Sequence, residues 1–273
     1  LSGILKEPDD RVLGFEWFKK GGHMQVTVAP KAVVPGGFRE LDENRAGFAE
    51  HFAQIMEADP RTKGRVLDVG CGKNGPDLKN GKQEFVFFPL IRRASQLDGL
   101  DPFPEVMQNP HIKEKWVGTL EQSSVPAGAY DAMLSFFVLE HVGDTQGFLR
   151  AVHRALKPGG VFYALTPSSR HPFAWIVRLI EAFNAKRAVE RITKEGEVNR
   201  IPTYYRLNSP SAIAKSAQGM GFSHLEVFYY PAINWETYFP KPLRFVPRMY
   251  DHLVGTKFRG ANQQVLFKLE KAR

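Results

Sequence analysis

The chain has 273 residues, a net charge of +8 and a single cysteine, Cys71, so it forms no internal disulfide and a reducing, cytoplasmic setting is predicted. No apolar run approaches the roughly 18 residues of a membrane span, and the length suffices for a buried core without disulfides or metals. The basic residues are scattered, with no interleaved aromatic and arginine signature of RNA binding, so the charge points to an anionic substrate, a membrane surface or plain solubility, and no nucleic acid partner is expected.

Residues 1–45 read as irregular, with Gly21-Gly22, Pro30, Pro35 and Gly36-Gly37. The apolar spacing of Ala46, Phe48, Ala49, Phe52, Ile55 and Met56 predicts a helix from about Glu43 to Glu57. Arg65–Val69 is short, β-branched and followed at once by glycines, the mark of a strand. Further strands are predicted at Gln96–Leu100, ending at Asp101, at Lys115–Val117, and at Tyr130–Phe136, a near-continuous apolar run suited to burial on both faces. Asp144 caps a predicted helix to Leu156, Lys157-Pro-Gly-Gly160 stops it, and a strand follows at Val161–Leu165.

Residues 168–207 break the rhythm with a predicted amphipathic helix near Trp175–Arg187 and the segment Ile201-Pro-Thr-Tyr-Tyr-Arg206. Ser209 and Pro210 open another helix, closed by Gly219 and Gly221. Strands at Phe222–Tyr229 and Gln263–Leu269 end the series. The alternation of strand and helix argues for a parallel, doubly wound sheet.

Val66-Leu-Asp-Val-Gly-Cys-Gly-Lys-Asn-Gly75 carries the chemistry. Glycines directly after a strand let a ligand approach the backbone. Gly70-x-Gly72-x-x-Gly75 also satisfies the dinucleotide-binding pattern, so a nicotinamide-dependent oxidoreductase stays open on this string alone. Asp68, two residues before Gly70, would repel a pyrophosphate but suits the ammonium of a methionine moiety. Asp101 ends the second strand, where a carboxylate accepts ribose hydroxyls in either class.

With Tyr130-Asp-Ala-Met-Leu-Ser-Phe-Phe-Val-Leu-Glu-His-Val142 and Leu156-Lys-Pro-Gly-Gly-Val-Phe162 following in order, the chain resembles the class I S-adenosylmethionine-dependent methyltransferases, in the group that includes the ubiquinone-biosynthesis enzymes. The likeness covers about residues 60–168, with a looser echo at 203–230. It implies a Rossmann-like α/β fold, mostly parallel with an antiparallel last strand and helices on both faces, and S-adenosylmethionine as cofactor. It also implies that Asp68, Gly70, Cys71 and Gly72 hold the amino acid end of the cofactor. Asp101 and Pro102 would then lie at the ribose, Leu120 and Glu121 at the adenine, and Ser135 and Phe136 along the cofactor. The stretch from 73 to 100 is longer than the usual spacing of about 20 residues, which suggests an insertion at Lys79–Gln83.

Methyl transfer needs a base only if the acceptor loses a proton as it attacks. By the same resemblance His141, just past the fourth strand, stands at the acceptor rim and is the leading candidate, with His171 after the fifth strand as a second. No metal is assigned, because Phe137 stands where relatives with a Glu-x-x-Glu-His motif carry a ligand, leaving Glu140, His141 and His171. Tyr204, Tyr205 and Arg206 are candidates for the acceptor pocket.

The expected organisation is a single methyltransferase domain over 1–273. It comprises an arm or lid at 1–45, a cofactor core at 60–168, and acceptor-binding additions at 168–207 and 230–260. The expected activity is methylation of a small molecule, above all O-methylation of a sugar, lipid-linked or secondary-metabolite hydroxyl. The acceptor is expected to be anionic or lipid-linked, with peripheral membrane contact as a further expectation. An RNA or protein methyltransferase and a silent cofactor-binding module are the other readings.

Overall fold

The computed structural model describes residues 15–20, 23–28, 38–41, 54–72, 93–172, 174–175, 178–179, 202–230, 239, 241–250 and 264–273. The strands are β1 (Phe15–Lys20), β2 (His23–Val28), β3 (Phe38–Leu41), β4 (Arg65–Val69), β5 (Gln96–Asp101), β6 (Lys115–Val117), β7 (Tyr130–Phe136), β8 (Leu156–Pro167), β9 (Phe222–Tyr230) and β10 (Gln264–Lys271). The helices α1 (Thr145–Ala155) and α2 (Pro210–Ala217) open on side-chain caps, from Asp144 to the Gly147 N–H and from Ser209 to the Ala212 N–H.

An eight-stranded sheet runs in the order β3-β9-β10-β8-β7-β4-β5-β6. Only β10 is antiparallel, to β8 and to β9; every other pair is parallel. From β4 the chain steps outward to β5 and β6, then returns to the other side of β4 for β7 and β8. The C-terminal edge between β4 and β7 is therefore the topological switch point, where open α/β sheets bind their ligands.

Both faces of the sheet are dry, as the apolar strand patterns require. Successive residues of β8 alternate between two clusters. Phe162 and Ala164 pack with Phe148, Leu149, Val152 and Ile213 of the helices, while Val161, Tyr163 and Leu165 pack with Met56, Val66, Leu97 and Leu134 on the other side.

Two expectations are corrected. The segment 1–45 is not irregular throughout: β1 pairs antiparallel with β2, and β3 joins the main sheet parallel to β9. Lys157-Pro-Gly-Gly160 does not separate helix from strand. β8 starts at Leu156, directly after α1, and pairs with Tyr130 before the register shifts to Ala132 opposite Val161. The extra residues bulge, helped by Gly159 at φ 75°, and Gly160 has backbone oxygens of Lys157 and Tyr130 where a Cβ would stand. Of the helix expected at Glu43–Glu57, residues 54–58 are described and helical; of that expected at Trp175–Arg187, residues 175, 178 and 179 are. The insertion at Lys79–Gln83 lies outside the described residues. No helix among the described residues is long and apolar enough to cross a membrane.

Candidate active site

Three strand ends converge at the switch point. β4 leads into Gly70 and Gly72, at φ 82° and 62°, a left-handed backbone that favours glycine. At Gly70 a Cβ would sit 2.4 Å from Val138 Cγ2, so the turn after β7 rests directly on the glycine loop. Around Gly72 a Cβ would meet nothing within 4 Å among the described residues.

The Asp101 carboxylate at the end of β5 fixes this loop. Its Oδ2 accepts the Gly72 N–H at 2.9 Å and its Oδ1 accepts the Phe103 N–H at 2.9 Å. The Gly72 carbonyl accepts from Asn109 Nδ2 at 3.2 Å, while Asn109 Oδ1 takes the His111 N–H. Asn109 is fully buried and was not singled out from the sequence, because its partner lies 37 residues away.

Asp68 is buried, and among the described residues neither carboxylate oxygen has a hydrogen-bond partner. Burial first, and the nearby Asp101 charge second, push its pKa well above the usual carboxylate range. Ser135, on neighbouring β7, is likewise buried, and its Oγ has no hydrogen-bond partner among the described residues. Unsatisfied buried polar atoms at a ligand-binding edge call for a partner that supplies donors and positive charge. The ammonium of S-adenosylmethionine has that chemistry, and the Asp101 oxygens keep further lone pairs for ribose hydroxyls. The residues present fit the cofactor.

The other expected contacts spread differently. The Cys71 thiol turns inward, close enough that a Cβ on Gly99 would lie 2.5 Å from its Sγ, and burial raises its pKa. Leu120 is buried in the core, Glu121 is half-buried beside it, Pro102 is exposed and Phe136 is half-buried.

After β7 the chain makes a sharp exit. Phe137 takes a left-handed φ of 52° while its N–H stays bound to the Leu165 carbonyl at 2.8 Å. A bulky residue there is strained unless its surroundings hold it. The exit leads into a short 3-10 turn, Leu139–His141.

Residues 202–206 wrap this turn as a strap. The Tyr204 and Tyr205 N–H groups both donate to the Glu140 carbonyl, at 2.6 and 3.1 Å. Arg206 Nη1 donates to the Gly143 carbonyl at 2.7 Å and its guanidinium lies over the Tyr204 ring. His141 Nδ1 lies 2.9 Å from the Pro202 carbonyl oxygen. A carbonyl only accepts, so Nδ1 is the donor in this bond, and in the neutral ring the lone pair is then on Nε2.

The Glu140 side chain turns the other way. It is buried, with Oε2 accepting from Thr166 Oγ1 at 2.8 Å; Thr166 Oγ1 in turn accepts from Asn208 Nδ2 at 2.5 Å. Asn208 Nδ2 also donates to the Pro167 carbonyl at 3.0 Å. Burial raises the Glu140 pKa to about 7, a shift only partly offset by its hydrogen bonds. His171 is buried beyond β8, its ring edge-on to Tyr250 with centroids 5.3 Å apart. The strap thus brings Tyr204, Tyr205 and Arg206 to the turn that carries His141, while His171 is buried against Tyr250.

Glu140 has a consequence for stability. The folded state holds its proton up to about pH 7, against about 4.3 for an unperturbed glutamate. The contribution is therefore fully present below about pH 4.3, is lost as pH rises through about 7, and levels off above. Glu140→Gln, neutral at every pH, should gain on wild type over that interval by roughly 4 kcal/mol. Urea unfolding of both proteins at several pH values between 5 and 8 checks it; a difference that does not change with pH would contradict the shift.

Comparison with known proteins bears on the family and the fold. Residues 41–227 match a family described as a methyltransferase domain. A ubiquinone biosynthesis O-methyltransferase of Methylocella silvestris is 31% identical over 173 residues, 58% of this chain and 60% of that protein. One from Azorhizobium caulinodans is 29% identical over 56% of this chain and 58% of that protein. The chain thus spans somewhat under two thirds of the length of these curated relatives. A SAM-dependent methyltransferase structure from Archaeoglobus fulgidus superposes with a TM-score of 0.50 at 14% identity, covering 81% of this chain and 93% of that one, which shows the shared fold. The chain belongs to the methyltransferase-domain family, with the fold of that SAM-dependent methyltransferase structure.

Proposed function

We propose that this methyltransferase transfers the methyl group to a hydroxyl oxygen of a small-molecule acceptor, with His141 as the base. The observation that supports this is the 2.9 Å bond from His141 Nδ1 to the Pro202 carbonyl, which orients the ring so that Nε2 of the neutral tautomer is the nitrogen left to accept a proton. A hydroxyl becomes a strong nucleophile only as it loses its proton, so a positioned neutral imidazole has a use in O-methylation. The names of the relatives, ubiquinone biosynthesis O-methyltransferases, support the same acceptor atom.

When bound, the cofactor supplies a methyl carbon already activated by its sulfonium. The protein's share is alignment, exclusion of water and removal of one proton. Asp68 and the glycine loop would hold the amino acid end, and Asp101 the ribose. The turn at 139–141, seated on Gly70 through Val138, would place Nε2 beside the acceptor oxygen. His141 would take the proton from the acceptor hydroxyl as its oxygen attacks the methyl carbon that the cofactor supplies. Glu140, buried and bonded to Thr166, faces away and would serve to fix the turn; His171 is the second candidate base. Segments 168–207 and 230–260 are assigned to acceptor binding, with a sugar, lipid-linked or secondary-metabolite hydroxyl as the acceptor class. Arg206 would meet an anionic group on it.

The test is incubation with isotopically methyl-labelled S-adenosylmethionine and a metabolite extract, followed by mass spectrometry. The expected product gains one labelled methyl group and fragments as a methyl ether. Labelled product carrying the methyl on nitrogen or carbon would refute the proposed atom, and label in RNA or protein would refute the acceptor class.

A further inference from the structure

We infer that Asn109 is a positioning residue for the cofactor: it holds the carbonyl of Gly72 while Asp101 holds the N–H, and so keeps the glycine loop in its binding shape before the ligand arrives. The inference rests on the assignment of this loop to S-adenosylmethionine.

The N–H groups of the loop are anchored on the end of β5. Those of Gly70 and Cys71 both donate to the Leu100 carbonyl, at 2.7 and 3.4 Å, and that of Gly72 donates to Asp101 Oδ2 at 2.9 Å. These contacts leave the carbonyl side of Gly72 to be fixed. Gly72 stands at φ 62°, and a Cβ there would meet nothing within 4 Å among the described residues, so packing at its Cα does not confine it. Glycine has more conformational freedom to lose than any other residue. Its backbone polar groups are therefore the means by which the fold can restrain it, and Asn109 Nδ2 takes the second of them, donating to the carbonyl at 3.2 Å.

Asn109 is itself held firmly enough to act as an anchor. Its side chain is fully buried, and its own N–H closes the 3-10 turn Pro104–Gln108 on the Val106 carbonyl at 2.9 Å. Its Oδ1 accepts the His111 N–H at 3.0 Å. The segment that carries it is tied to β5 at both ends, by the Phe103 N–H on Asp101 Oδ1 and by the Lys113 N–H on the Leu97 carbonyl. The two partners of the side chain demand an amide. A carbonyl only accepts and an N–H only donates, so one end of the group must be a donor and the other an acceptor. An aspartate would satisfy His111 and set an oxygen against the oxygen of Gly72. A loop already ordered in this way loses less entropy when the ligand binds.

The test measures two quantities on the whole chain: the dissociation constant of S-adenosylhomocysteine by calorimetry, and amide hydrogen exchange of residues 70–72 without ligand. Asn109→Asp keeps the acceptor for His111 and removes the donor. Asn109→Ser keeps a hydroxyl acceptor on a side chain one atom shorter, and serves if the aspartate does not fold. Either should weaken binding by about tenfold or more and speed exchange in the loop by about tenfold, with β4 and β5 still protected. Ile112→Val is the control for general loss of stability, because Ile112 is buried in the same segment and packs toward Gly99. It should lower the melting temperature and leave both quantities at wild-type values. Wild-type affinity in a folded Asn109 variant overturns the proposal, as does an equal loss of affinity in Ile112→Val. Failure of wild type to bind S-adenosylhomocysteine would instead overturn the cofactor assignment, and the proposal with it.

Discussion

Asp101→Ala should weaken S-adenosylmethionine binding by about ten- to a hundredfold. A hydrogen bond to a charged acceptor contributes roughly 1.5–3 kcal/mol, and this carboxylate is assigned the ribose hydroxyls. It also holds the Gly72 and Phe103 N–H groups, so its loss frees the glycine loop as well as removing the contact. Asparagine should not restore binding, because its amide nitrogen would face one of two backbone donors. Calorimetry on the folded variant measures the effect directly. In wild type the cofactor should raise the melting temperature through mass action, and a nicotinamide dinucleotide should not. An unchanged dissociation constant in Asp101→Ala would show that the ribose lies elsewhere.

His141→Ala should lower turnover by about a hundredfold or more, with cofactor affinity close to normal, if proton removal from the acceptor limits the rate. The strap of residues 202–206 holds the imidazole with its proton on Nδ1, so the variant loses a positioned acceptor and not merely a titratable group. Turnover near wild type would make the histidine structural. A chelator should leave the wild-type rate unchanged, since Glu140, its neighbour in sequence, is buried, bonded to Thr166 and protonated up to about pH 7. Loss of activity on chelation would turn the assignment toward a metal-assisted reaction.

Strands β4, β6 and β7 have the limits read from the sequence, and the caps at Asp144 and Ser209 fall where they were expected. These signals are local. A β-branched run ending in glycines, or a short polar side chain before an apolar helix, carries its physical reason within a few residues. The glycine loop was legible in the same way, and so was the placing of Asp68 and Asp101 at the ends of adjacent strands. The N-terminal strands β1–β3 were not, because Gly- and Pro-rich stretches around them masked short segments that are ordered by pairing.

The interior of the site was decided by tertiary structure alone. His141 and Glu140 are consecutive in the sequence, yet one imidazole is half-exposed and bound to the carbonyl of Pro202, 61 residues on, while the other side chain is buried against Thr166. A backbone carbonyl is present in every residue and leaves no mark in composition or spacing. Asn109 and Asn208 were invisible for a related reason: an asparagine reads as a turn former, and only the fold brings these two to Gly72 and Thr166. The sequence determined the class of the molecule and the carboxylates available to its cofactor, because those depend on residue type and order. The proton's place on His141 and the neutral form of Glu140 depend on which groups face them across the fold, and burial in a low-dielectric interior exists only once the chain has folded.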